Sequence, residues 1–175
     1  YISVTGVQTC ALPIYARLVG YNRAYQLEPD LLKAFEVQDG RIFTFHLRKG
    51  HRWSDGRPFT AEDFRYYFED IASMEGTNDP LPIEMIVEGE RPKFEVIDAQ
   101  TVRYSWSNPN PYFLTALAGP RPLYIYRPAH YLKQFHGKYA DPKKLDEMVK
   151  AASQRNWMAL HYVMGQQRSE EHTSE

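Results

Sequence analysis

Acidic side chains crowd the stretch FTFHLRKGHRWSDGRPFTAEDFRYYFED, residues 43–70, where Asp55, Glu62, Asp63, Glu69 and Asp70 fall close together. Two carboxyls flanking a glycosidic bond can hydrolyse it, one as acid and one as base or nucleophile, if their surroundings set their pKa values apart. Nothing in this spacing marks such a pair. Asp55 sits in an Asp-Gly break, Glu62 and Asp63 suit the first turn of a helix, and Glu69 and Asp70 read as solvated. His46, His51, His130, His136 and His161 are scattered and form no His-Glu-x-x-His helix, so no metal site is expected. Ser54, Ser73, Ser105 and Ser107 lack the Gly-x-Ser-x-Gly elbow, and no glycine-rich phosphate loop is present. The cluster Arg48-Lys49 with His51-Arg52 reads as a solvated hairpin edge rather than a nucleic-acid surface. The 13 tyrosines and 3 tryptophans could stack on sugars or nucleobases, but most recur at strand or helix spacing and read as core. No catalytic residue, metal ligand or cofactor site follows from these patterns, and no substrate-binding residue can be assigned.

The elements that carry these residues are legible. Phe35-Glu36-Val37 and Ile42 to Leu47 are β-rich runs around Gln38-Asp39-Gly40-Arg41, a break that favours positive φ and a hairpin turn. In the second run Phe43, Phe45 and Leu47 share one face, and Thr44, His46 and Arg48 share the other, which is expected to be wet. After the turn Ser54 to Pro58, Thr60 can cap a helix whose apolar positions are Phe64, Tyr67, Phe68 and Ile71. A second hairpin is expected from Phe94–Ile97 and Val102–Trp106. Short helices are expected over Phe113–Leu117, Ala129–Phe135 and Pro142–Ser153, with an extended piece at Leu123–Tyr126. No internal repeat is present. The order of hairpin, helix, loop, hairpin and helices predicts an α+β fold with a mainly antiparallel sheet.

The two ends differ from this middle. Arg168 to Glu175, RSEEHTSE, can be encoded as AGA TCG GAA GAG CAC ACG TCT GAA. With one further C, the reverse complement of that string translates to Val-Gln-Thr-Cys-Ala-Leu-Pro-Ile, residues 7 to 14. Both flanks thus read as one piece of non-biological DNA, resembling a sequencing adapter, translated from either strand. Residues 1–14 and 168–175 are therefore set aside as artefact, and residues 15–167 are taken as a natural fragment cut at both ends. A signal peptide would lie beyond it. Neither flank is expected to have packing partners, and Cys10 and His172 are expected to have no role. The chain holds 21 Lys and Arg against 22 Asp and Glu. Setting aside Arg168, Glu170, Glu171 and Glu175 leaves the charge near balance, which excludes a polyanion binder by charge. The one cysteine goes with the flank, leaving no disulfide framework.

Residues 43–70 resemble the signature segment of the family 5 extracellular solute-binding proteins, the oligopeptide- and dipeptide-binding components of ABC importers. The shared pattern runs through Phe45, Leu47, Arg48, Gly50, Trp53 to Gly56, Pro58 and Thr60 to Asp63. It extends to Pro29–Leu32, Phe35–Val37 and Val96 through Phe113, so that it covers most of residues 18–139. One departure is that Ser73 to Pro82 lacks the aromatic residue that many peptide-binding members carry there. The resemblance implies part of the N-terminal lobe of a periplasmic-binding-protein-like (type II) fold, in which hairpins pack with helices. It implies structural roles for Trp53, Asp55, Gly56 and Thr60. It also implies a binding protein without chemistry of its own: periplasmic or extracellular and lipid-anchored, monomeric, taking a peptide or other small molecule and presenting it to an ABC permease. The alternatives are a lobe of a carbohydrate-active hydrolase presenting Asp55 or Asp63, and a sensor or adaptor that reuses the binding fold.

Overall fold

The computed structural model describes residues 2–3 and 17–170, with side-chain surroundings for residues 17–165. Its strands are β1 (Ile2–Ser3), β2 (Val19–Tyr21), β3 (Leu27–Pro29), β4 (Leu32–Gln38), β5 (Ile42–Leu47), β6 (Arg52–Trp53), β7 (Lys93–Asp98) and β8 (Thr101–Ser105). Its helices are α1 (Ala61–Arg65), α2 (Phe113–Ala118), α3 (Ala129–Leu132), α4 (Pro142–Ala151) and α5 (Trp157–Glu170).

The two expected hairpins join into one antiparallel sheet of order β4-β5-β8-β7. The first turns at Asp39 and Gly40, with φ of 53° and 65°, and the Arg41 N–H donates to the Gln38 carbonyl at 3.0 Å. Positive φ at both central residues matches the right-handed twist of the flanking strands, and Gly40 adopts it without a Cβ clash. At the β5–β8 seam Phe43 lies opposite Tyr104 and Phe45 opposite Val102. All four are buried. Phe43, Phe45 and Tyr104 meet Phe113 of α2, whose ring centroid lies 5.2 Å from Phe43, 5.8 Å from Phe45, 5.5 Å from Tyr104 and 5.1 Å from Trp106. Each such ring contributes about 1.5–3 kcal/mol through the apolar area it buries, which ties the sheet to α2. The opposite face of β5 departs from expectation at Thr44, which is only 4% exposed and accepts from Arg103 Nε at 3.2 Å.

Beyond Arg65 the helix widens into a π-helical segment, Tyr66–Ile71, closed by the Ala72 N–H donating to the Tyr67 carbonyl at 2.8 Å. A π turn advances fewer degrees per residue than an α turn, so the inward face shifts. Tyr66 and Asp70 become buried beside Tyr67 and Ile71, while Phe68 is only half-buried. Asp70 was expected in solvent, and the wider turn is the reason it is not.

Two further elements were not foreseen. The β2–β3 hairpin forms around Asn22, whose Oδ1 accepts from the N–H groups of Ala24 at 2.9 Å and Gln26 at 3.0 Å. Helix α5 starts where Asn156 Oδ1 accepts the Ala159 N–H at 2.9 Å, and runs past Gln167. The N-terminal flank, expected to have no partner, has one in part: β1 pairs antiparallel with β6. Backbone pairing is blind to side chains, so any extended segment can occupy an open edge. Cys10 and His172 lie outside the described residues.

Candidate functional site

The signature segment closes on Asp63. Thr60, in extended conformation before α1, accepts the Glu62 N–H with its hydroxyl, while the Asp63 carboxylate accepts the Thr60 N–H at 3.0 Å. This reciprocal cap satisfies donors that the first helical turn leaves without partners. The same carboxylate does more. Its Oδ2 also accepts from Trp53 Nε1 at 3.2 Å, and its Oδ1 accepts the Ala129 N–H at 3.0 Å at the start of α3. The Asp63 carbonyl in turn accepts the Arg127 N–H at 3.0 Å. One side chain, 3% exposed, thus joins the hairpin turn, α1 and α3. Burial pushes its pKa up to about 6 against the opposing pull of the donors from Thr60, Ala129 and Trp53.

Trp53 is buried against Phe59 and Tyr126, with ring centroids 5.6 Å and 6.1 Å away. Asp55 accepts the Arg57 N–H at 3.1 Å and Gly56 takes φ of 83°, so both build the turn. Asp55 Oδ2 also lies 2.7 Å from His130 Nε2, a contact across the chain that spacing could not reveal. The structural roles implied for Trp53, Asp55, Gly56 and Thr60 match these contacts.

The other acidic residues serve a charge network. Arg65 bonds Glu62 at 2.7 Å, Glu69 at 2.9 Å and Asp70 at 2.9 Å, and Lys133 reaches Glu62 at 2.7 Å. Asp70 further accepts from Lys138 at 2.7 Å and from the Tyr139 hydroxyl at 2.6 Å. Burial acts to raise the Asp70 pKa, but the hydrogen bonds from Lys138, Tyr139 and Arg65 outweigh it and hold the carboxyl below its usual range. Donors therefore occupy the carboxylates that sequence raised as an acid and base pair. Asp63 is enclosed on both oxygens, and the donors around Asp70 favour its ionised form.

The remaining candidates stay dispersed or turn inward. His46 faces Glu36 at 3.2 Å, and His136 and His161 are buried together. No group of three or more His, Cys, Asp or Glu able to hold a metal occurs among the described residues. Ser73 donates to the Phe68 carbonyl at 2.6 Å and Ser107 to Glu90 at 2.9 Å. Arg48 and Arg52 donate to the backbone carbonyls of Asp30 and Gly56. Tyr66, Tyr67, Tyr104 and Tyr126 are core residues, whereas Tyr25 and Tyr112 stand exposed.

Antiparallel hairpins with packed helices, knotted together by a buried Trp–Asp cap, define an α+β partial lobe of the periplasmic-binding-protein type. The chain belongs to the bacterial extracellular solute-binding proteins, family 5 Middle, which it matches over residues 26–154. Among its relatives, the periplasmic oligopeptide-binding protein OppA of Escherichia coli (strain K12) is 31% identical over 65% of this chain and 23% of its own length. The periplasmic alpha-galactoside-binding protein of Rhizobium meliloti (strain 1021) is 36% identical over 64% of this chain and 16% of its own. A solved structure of the oligopeptide-binding protein OppA matches with a TM-score of 0.69 and 33% identity, over 83% of this chain and 23% of that one. The chain thus spans about a quarter or less of the proteins it resembles. These relatives are named as binding proteins, and none of these matches favours the hydrolase reading.

Proposed function

We propose that this chain is part of the solute-recognition component of an ABC importer, located in the periplasm or anchored by lipid on the outer side of the membrane. The family match over residues 26–154 carries the reading. In the longer protein two lobes close on a solute in the cleft between them and present it to the permease. The component acts as a monomer and catalyses no reaction. Its ligand is a peptide or another small solute, since relatives named for oligopeptides and for alpha-galactosides share this segment.

Isothermal titration of the longer protein with di- to pentapeptides and with alpha-galactosides tests this. Saturable heat with one class and no turnover of it is expected. Hydrolysis of an oligosaccharide would sink the proposal. The present chain by itself is expected to give no saturable heat with either class, because a cleft built from two lobes cannot enclose a ligand with a quarter of the relatives' length. Micromolar binding of a peptide by this chain would contradict that part.

A further inference from the structure

The buried contact between α5 and the π-helical segment contains two histidines. His136 and His161 are 3% and 7% exposed, with ring centroids 5.7 Å apart. The hydrogen bonds of His136 require a neutral ring. His136 Nε2 lies 2.8 Å from the Asp70 carbonyl oxygen, which can only accept, while His136 Nδ1 accepts the Lys138 N–H at 3.1 Å. That assigns the Nε2–H tautomer, and a proton on Nδ1 would face the Lys138 N–H and break that bond. His161 Nε2 lies 2.8 Å from the Tyr66 hydroxyl. Trp157 of α5 packs on the His136 ring at a centroid distance of 4.6 Å, and Leu160 is fully buried.

The Asp70 carboxylate favours a charge on His136, but burial of the ring outweighs it. On the π-helical segment, Tyr66 faces both rings, and Asp70 is already held by Arg65, Lys138 and Tyr139. From the segment after α3, Lys133 lies over the Tyr66 ring at 5.9 Å, and Lys138 and Tyr139 stand beside His136. Asp79, which lines the same contact, is bound to Arg127 at 2.6 Å, and Arg127 adds a further positive field at His161. On α5 itself Tyr162 completes the surroundings. The adjoining cavity of about 10 Å³ is at the lower limit for holding one water.

We propose that His136 and His161 form an acid-sensitive latch, which holds α5 against the π-helical segment while both rings are neutral and releases it when they are protonated. Desolvation by burial lowers the proton affinity of both rings, so release falls below the ordinary histidine range. The sheet contains neither residue and stays folded as α5 leaves, so the change is local.

Amide hydrogen exchange of the full chain, corrected for intrinsic rates, tests this at about pH 7.5 and about pH 4.5. Segments in residues 157–165 are expected to lose protection by roughly tenfold or more on acidification, while β5 and β8 keep theirs. His161→Gln retains a partner for Tyr66 but cannot titrate, and is expected to weaken the acid response of α5 to the part that His136 supplies. Loss of protection in the sheet together with α5 would overturn the latch, as would an unchanged acid response in the variant. If that variant does not fold, a proton NMR titration of the native chain decides. Both rings titrating near the ordinary value while α5 stays protected refutes the proposal, and titration concurrent with release of α5 upholds it.

Discussion

The indole N–H of Trp53 donates to the Asp63 carboxylate at 3.2 Å, joining the turn after β5 to a helix start that follows it in the chain. The contact explains why the signature carries a tryptophan and an acidic residue 10 positions apart. The tryptophan fills the space between hairpin and helices, and the carboxylate satisfies the donors that this packing buries.

Asp63→Ala would leave the Trp53 indole and the Thr60 and Ala129 amides without their acceptor. Each unsatisfied buried donor costs about 1–3 kcal/mol. A loss of about 3 kcal/mol or more in urea unfolding is expected, with helical circular dichroism also reduced. A change under about 1 kcal/mol would mean that Asp63 is not the hub.

Trp53→Phe keeps a buried ring and removes only the N–H donor. The expected cost is about 1–2 kcal/mol, with no effect on solute affinity in the longer protein. A variant of native stability and weakened affinity would instead make Trp53 a ligand-stacking residue.

Asp70→Ala leaves Arg65 and Lys138 with one partner fewer and the Tyr139 hydroxyl without its acceptor. Asp70 is the buried member of an otherwise solvent-facing ion network, so about 1–3 kcal/mol is expected here. Asp70→Asn should recover part of this through its remaining oxygen. Thermal unfolding of the two variants side by side checks the order.

Gly137→Ala places a Cβ 2.9 Å from the Trp157 ring. The ring must move, and with it the start of α5. A destabilisation of about 1–3 kcal/mol is expected, with hydrogen exchange rising in α5 before the sheet. Native exchange throughout would show that the Trp157 contact is readily rearranged.

Asp63 and His161 make opposed contributions to stability against pH. Asp63, raised to about 6 by burial, contributes stability that is present below its unfolded value of 3.8 and is lost as pH rises through 6. His161, lowered to about 4 by burial, then by His136 and Arg127, contributes stability that is present above 6.5 and is lost as pH falls through 4. In His161→Gln only the first of these two remains. The urea midpoint of that variant is expected to fall less than the native one between about pH 7 and about pH 4.5. Parallel pH profiles for the two proteins would remove His161 from the account.

Strong local signals were legible in the sequence. Asp39-Gly40, the alternation of Phe43, Phe45 and Leu47, Thr60 before its helix, and Pro142 at the first turn of α4 each specify geometry through contacts a few residues long. Where a signal was weak, reading failed. The β2–β3 hairpin has no run of β-branched residues, and α5 carries apolar residues around its circumference, so neither has a clear period. The solvated reading of Asp70 failed for another reason: one widened turn rotates it inward, and periodicity counted at α-helical spacing cannot register a π turn.

Taken alone, the sequence determined the α+β class, the two main hairpins, the capped helix and the family, because these rest on short-range stereochemistry and on residues fixed in order. Only the tertiary structure decided which side chains meet. Asp63 receives Trp53 and Ala129, Asp55 finds His130, and His136 lies beside His161, over separations of 10, 66, 75 and 25 residues that no local spacing encodes. Those pairings follow from how the sheet and helices share one core, and burial there turns dispersed acids and histidines into a cap, an ion network and a neutral pair.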